Sequence, residues 1–125
     1  MIDYISVFVE DFNQAQSFYA AVFTTLGYRR YAHYQDVISF GRETIAFVAM
    51  KTPPSRAPQE NKPCIHIAFK AVKREQVDKF YQTALAHHGI NRQAPATHTY
   101  PQGEVYSASI CDPFGHELEA VYKLG

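Results

Sequence analysis

Apolar and polar positions alternate from the start of the chain. "IDYISVFV" (residues 2–9) is rich in β-branched and aromatic residues and predicts a strand. The period then changes. In "EDFNQAQSFYAAVFTTLGY" (10–28), Ala15, Phe18, Tyr19, Val22 and Phe23 recur at three- and four-residue spacing, which puts them on one helical face. Asp11 or Asn13 can cap the start of this helix, and Gly27 stands where helices commonly end. "YRRYAHYQ", "VISFG" and "TIAFVAM" follow as three short strands. "KTPPSRAPQENKP" (51–63) is polar, holds four prolines and predicts a connector.

The order then begins again. "CIHIAFKA" predicts a strand, "KREQVDKFYQTALAHHGI" a helix closed by Gly89, and "EVYSASICD" and "HELEAVYKL" two strands joined at "DPFG". A shift of 62 residues puts Tyr4 on His66, Phe18-Tyr19 on Phe80-Tyr81, Gly27 on Gly89 and Arg30 on Arg92. Near the end the shift becomes 74, with Phe40-Gly41 on Phe114-Gly115. The second copy has therefore gained residues in "QAPATHTYPQG" (93–103), which reads as a longer loop, a natural lid or ligand contact that carries His98 and Tyr100. The expected fold is α+β: two tandem βαβββ units forming a curved mixed sheet around a groove. Unit one covers about 1–50, the connector 51–63 and unit two about 64–125, within a single domain.

Composition narrows the function. Nine Tyr and nine Phe with no Trp let aromatic rings supply both core and pocket. A formal net charge of zero argues against a nucleic-acid or anionic-membrane surface, since both need clustered Lys and Arg. The same ground weighs against a third reading, an RNA-binding sheet with stacking aromatics. No long apolar run or charged-then-apolar leader is visible, so a cytoplasmic protein is expected, with Cys64 and Cys111 as reduced thiols.

The tandem βαβββ pattern, "SFY" in the first helix, the His-Ile strand at mid-chain and "DPFGHELEAVY" at the end together resemble the vicinal-oxygen-chelate superfamily. That group contains glyoxalase I, extradiol dioxygenases and the bleomycin and fosfomycin resistance proteins. The resemblance covers the whole chain and is strongest to small glyoxalase-like members. It implies a divalent metal held in the groove by residues on the first and last strands of each unit. By position, His66 and Glu119 match two ligands. Tyr4 stands where the family usually has His, and Ile45, which the shift of 74 pairs with Glu119, cannot coordinate a metal. The resemblance also implies a homodimer.

A neutral imidazole and a carboxylate suit zinc, nickel, manganese or ferrous iron, yet two ligands leave a sphere incomplete. Glu117 lies two residues before Glu119, so both carboxylates face the same way, and Glu117 is a second carboxylate ligand, a general base or a solvated residue at the strand's start. Tyr4 is the other candidate for assisting chemistry. Cys64 shares a strand face with His66 by the period-two rule and joins His98 and Tyr100 as candidate ligand contacts. His116 sits in a turn, His87 and His88 suit the end of a helix, and Arg29, Arg30 and Arg92 suit either an anionic ligand or the solvent. Two functions compete. The first is a metal-dependent lyase or isomerase acting on a ligand with adjacent oxygens. The second is a metal-free protein that sequesters a small molecule, as bleomycin-resistance proteins do.

Overall fold

A computed structural model of the chain describes residues 1–53, 65–101 and 103–125. It falls into two compact units, Met1–Pro63 and Cys64–Gly125. Each is built on a four-stranded mixed sheet with one helix, so the fold is α+β. Neither helix is long and apolar enough to cross a membrane.

Unit one runs β1 (Ile5–Val9), α1 (Phe12–Thr24), β2 (Arg29–Tyr34), β3 (Val37–Gly41) and β4 (Ile45–Lys51), with sheet order β1-β4-β3-β2. Parallel pairing of β1 with β4 needs a crossover, and α1 with the β2–β3 hairpin supplies the length. Asp11 caps α1 by accepting from the Gln14 amide at 3.0 Å, and Gly27, at φ 79°, turns the chain away. The apolar stripe expected of α1 is buried, with Phe18, Tyr19, Val22 and Phe23 essentially inaccessible. Tyr19 and Phe23 both meet the Phe47 ring of β4 with centroids 4.9 Å apart. This aromatic cluster is the core of unit one.

Unit two repeats the plan as β5 (His66–Lys70), α2 (Arg74–Ala86), β6 (Ile90–Tyr100), β7 (Gly103–Cys111) and β8 (Glu117–Lys123), in order β5-β8-β7-β6. One sheet face packs Ile67, Phe69, Ile110, Leu118 and Ala120 beneath α2, whose buried residues are Val77, Phe80 and Ala84. Tyr106 of the interior strand β7 ties helix to sheet. Its hydroxyl donates to Asp78 Oδ1, and the Arg74 guanidinium lies 4.0 Å from its ring centroid.

Two local expectations are corrected. His88, at φ 75°, makes the left-handed turn after α2, while the backbone of Gly89 is needed for closeness: a Cβ there would lie 2.7 Å from the Ala84 carbonyl oxygen. His87 ends the helix as expected, with Nδ1 2.9 Å from the Thr83 carbonyl oxygen. The residues gained by unit two do not form a lid loop. They lengthen β6 to 11 residues against six in β2, and His98 and Tyr100 lie in paired strand opposite Val105 and Gly103. Backbone hydrogen bonds to β7 satisfy this stretch better than solvent would.

Candidate functional site

Ladder register decides which residues of unit two share a face. β5 and β8 run parallel with His66 opposite Glu117, Ala68 opposite Glu119 and Lys70 opposite Val121. β7 continues the row, with Ser109 opposite Glu119, Ser107 opposite Val121 and Val105 opposite Lys123. His66, Lys70, Glu117, Glu119, Ser107, Ser109, His98 and Tyr100 therefore occupy the face turned away from α2.

The sharpest contact on this face joins the two residues assigned as metal ligands. His66 Nε2 donates to Glu119 Oε1 at 2.8 Å and lies 3.8 Å from Glu117 Oε2. His66 is half exposed, whereas the Glu119 side chain is only 8 % accessible. Glu119 Oε2 is buried without a hydrogen-bond partner. Glu117 is not a solvated strand-start residue: its Oε1 lies 3.5 Å from Arg92 Nε, so the carboxylate stands between an imidazole and a guanidinium.

Bonds near 2.1 Å from one metal put neighbouring donor atoms about 3–3.5 Å apart, so the His66–Glu119 pair has nearly the spacing of two adjacent ligands. The nitrogen that now donates to Glu119 is the nitrogen a metal would take, so proton and metal compete for it. The pair fits part of a coordination sphere. Among the described residues, no group of three or more His, Cys, Asp or Glu side chains is placed to hold a metal ion.

The registers also correct the repeat partner of Glu119. With Tyr4 matched to His66, Ser6 matches Ala68, and the residue opposite Ser6 is Val48. Burial agrees, since Phe47 and Ala49 are buried in β4 as Leu118 and Ala120 are in β8. Val48, and not Ile45, is therefore the counterpart of Glu119. The shift of 74 fits the glycine turns but is three residues too long for the last strands. The conclusion drawn from Ile45 survives, because valine is as unable to coordinate.

Tyr4 precedes β1, is half exposed and lines a unit-one cavity with Ser6, Ser39, Ile45, Val48 and Met50. His98 is part-buried. Its Nδ1 lies 3.4 Å from Gln93 Nε2, its ring stacks on Tyr100 at 6.1 Å, and its Nε2 is buried without a partner. Cys64 lies outside the described residues. His116 belongs to the "DPFG" turn, where buried Asp112 accepts from the Phe114 and His116 amides, each at 2.9 Å. The motif's aspartate thus shapes the turn that launches β8. Arg29 lies over the Tyr31 ring within unit one.

Sequence reasoning passed over Ser107 and Ser109, both buried on the site face, and the lysines Lys70 and Lys123. Alternation along "EVYSASIC" already puts Ser107 and Ser109 on one side of their strand. What the string could not show is which face that side joins.

A family model described as Glyoxalase/Bleomycin resistance protein/Dioxygenase superfamily matches residues 1–120. The chain belongs to this superfamily. This glyoxalase-superfamily chain is also similar to several solved structures. One, a glyoxalase/bleomycin resistance protein from Albidiferax ferrireducens, is 24 % identical over 98 % of both chains, with a TM-score of 0.87. Another, a glyoxalase/bleomycin resistance protein/dioxygenase family enzyme from Burkholderia phytofirmans, is 18 % identical over 98 % of both chains, at 0.73. A lactoylglutathione lyase from Agrobacterium tumefaciens is 22 % identical over 98 % of this chain and 92 % of its own, at 0.67. At these identities the glyoxalase-superfamily likeness shows the fold. No curated protein matches the chain significantly.

Proposed function

We propose that this glyoxalase-superfamily chain is a divalent-metal-dependent lyase or isomerase acting on a small molecule with adjacent oxygens. The observation that supports this reading is the His66–Glu119 pair at 2.8 Å, with a second Glu119 oxygen buried and unpartnered beside it. His66 Nε2 and Glu119 would hold zinc, nickel, manganese or ferrous iron, whose contribution is Lewis-acid polarisation of the ligand's oxygens. Glu117, 3.8 Å from His66 and steadied by Arg92, is the base that takes a proton from a ligand seated over the pair. Tyr4 is assigned an assisting role on its repeat correspondence with His66. A cytoplasmic homodimer belongs to the same proposal, and light scattering of the purified protein checks the dimer.

A second reading is a metal-free small-molecule binder. Two observations favour it: the described residues hold no group of three His, Cys, Asp or Glu side chains placed for a metal ion, and the unit-one counterpart of Glu119 is Val48. Elemental analysis of protein purified without chelator, alongside His66→Ala, separates the readings. Stoichiometric metal that is lost in His66→Ala supports the enzyme. Native protein that fails to take up zinc, nickel or manganese at micromolar concentration refutes it and leaves the binder.

A further inference from the structure

We propose that unit one binds a small organic cation, an apolar body that carries a ring and a single ammonium head. This goes beyond the reading of the His66–Glu119 pair and does not draw on it.

The register of unit one decides which side chains share a face. Ser6 and Ser39 flank Val48 in one row, and Met50 stands opposite Val37 in the next. Their chain neighbours Val7, Ile38, Phe47 and Ala49 are buried in the core, so these rows face away from it. A cavity of about 600 Å³ opens on that face, within the range of ordinary small-molecule sites. The unit-two cavity that Glu119 lines is about 290 Å³, so unit one offers about twice the room. Val37, Ile45, Val48 and Met50 supply aliphatic walls, and the half-exposed Tyr4 ring supplies an aromatic one. All four aliphatic side chains are only partly buried, so each gains by being covered with apolar atoms. The repeat accounts for this surface: where unit two carries His66 and Glu119, unit one carries Tyr4 and Val48. The exchange removes an imidazole and a carboxylate and leaves walls that suit a ring and methylene groups.

Charge decides the head. Asp3 is the one charged group among the described residues that line the cavity. It is exposed and lies just before β1. A ligand ammonium beside it keeps part of its hydration and so escapes the desolvation cost of a buried ion. Tyr4, next in the chain, adds a ring of the kind whose face attracts ammonium groups. An anionic head meets the opposite conditions. The described lining holds no Lys, Arg or His to receive it, and Asp3 repels it.

Four probes separate body from head: ω-phenylbutylamine, ω-phenylbutanol, ω-phenylbutyrate and butylamine. Each is titrated at neutral pH into full-length, isotope-labelled protein as purified, and amide shifts are followed by NMR. Phenylbutylamine should bind roughly threefold tighter than phenylbutanol, the scale of one partly exposed ion pair. It should bind at least about tenfold tighter than butylamine, the scale of burying one ring. Phenylbutyrate should be the weakest of the three ring probes, and shifts should centre on β1, β3 and β4. Asp3→Asn should level the amine with the alcohol while leaving the alcohol's own affinity unchanged. Wild-type protein that binds the alcohol or the acid as tightly as the amine removes the cationic head, and equal binding of butylamine removes the apolar body. Shifts centred on other elements, a preference that survives Asp3→Asn, or no binding at millimolar concentration overturn the inference. Comparing wild-type probes does not depend on any variant folding. Metal uptake by wild type and His66→Ala tests the proposed function separately, so either can fail alone.

Discussion

Ser107 gives the clearest quantitative test of the site face. It is fully buried on β7, and its Oγ has no hydrogen-bond partner. Burying a hydroxyl without a partner costs about 1–3 kcal/mol, and Ser107→Ala removes that cost. The substitution also deletes one oxygen atom, a void of about 10 Å³ that returns about 0.2–0.3 kcal/mol at the usual cavity coefficient. Ala and Ser differ little on a strand, so propensity does not decide the sign. The expected net effect is a gain of about 1 kcal/mol, at the cautious end of that range. For a chain of this size that corresponds to a rise of roughly 3–5 °C in Tm. In urea the midpoint should move up by about 0.5 M at unchanged slope. A loss of stability of about 1 kcal/mol or more would refute the reasoning, because only a hydroxyl with a real partner is missed that much.

Other residues carry independent tests. Asp112→Ala leaves the Phe114 and His116 amides without their acceptor in a buried turn and should cost about 2–3 kcal/mol in urea unfolding, with Asp112→Asn recovering part of it. The hydrogen bond to Asp78, then burial, holds the Tyr106 phenol above its ordinary pKa of about 10. A raised folded value means that this stabilisation is complete below pH of about 10 and is lost as pH climbs through the higher folded value. Unfolding midpoints measured up that range should therefore fall less steeply for Tyr106→Phe than for wild type; identical slopes would show that the contact is not stabilising. Metal content should be stoichiometric in wild type and absent in His66→Ala.

Much of the fold was legible in the string because periodicity is a local property. The stripe from Ala15 to Phe23 predicts α1, and strict alternation predicts β1 and β5, without knowledge of what each packs against. Duplication was legible for the same reason: Phe18-Tyr19 and Phe80-Tyr81 fill the same place on the same kind of helix. Register was not legible. It depends on hydrogen bonds between strands 50 residues apart, such as His66 and Glu117, and no local pattern encodes them. That is why Ile45 stood in for Val48, and why Ser107 and the two lysines went unnoticed. The extra residues of unit two were misread as a loop because Pro95, Gly103 and short polar side chains carry turn signals. Bulges in the β6–β7 ladder between Asn91 and Ala96 absorb the proline while the pairing continues.

The Asp112 turn has a consequence for how this chain can change over time. Glu117 and Glu119 reach the site face only because the turn delivers β8 in one phase, with Leu118 and Ala120 against α2. The five residues from Asp112 to His116 therefore behave like a reading frame. A single inserted or deleted residue there would send Glu119 toward the apolar core and bring Leu118 to the cavity, exchanging chemistry for grease along the whole strand. Two residues at once would restore the phase and merely slide the carboxylates one step along the wall. Length variation in this turn should thus come in even steps.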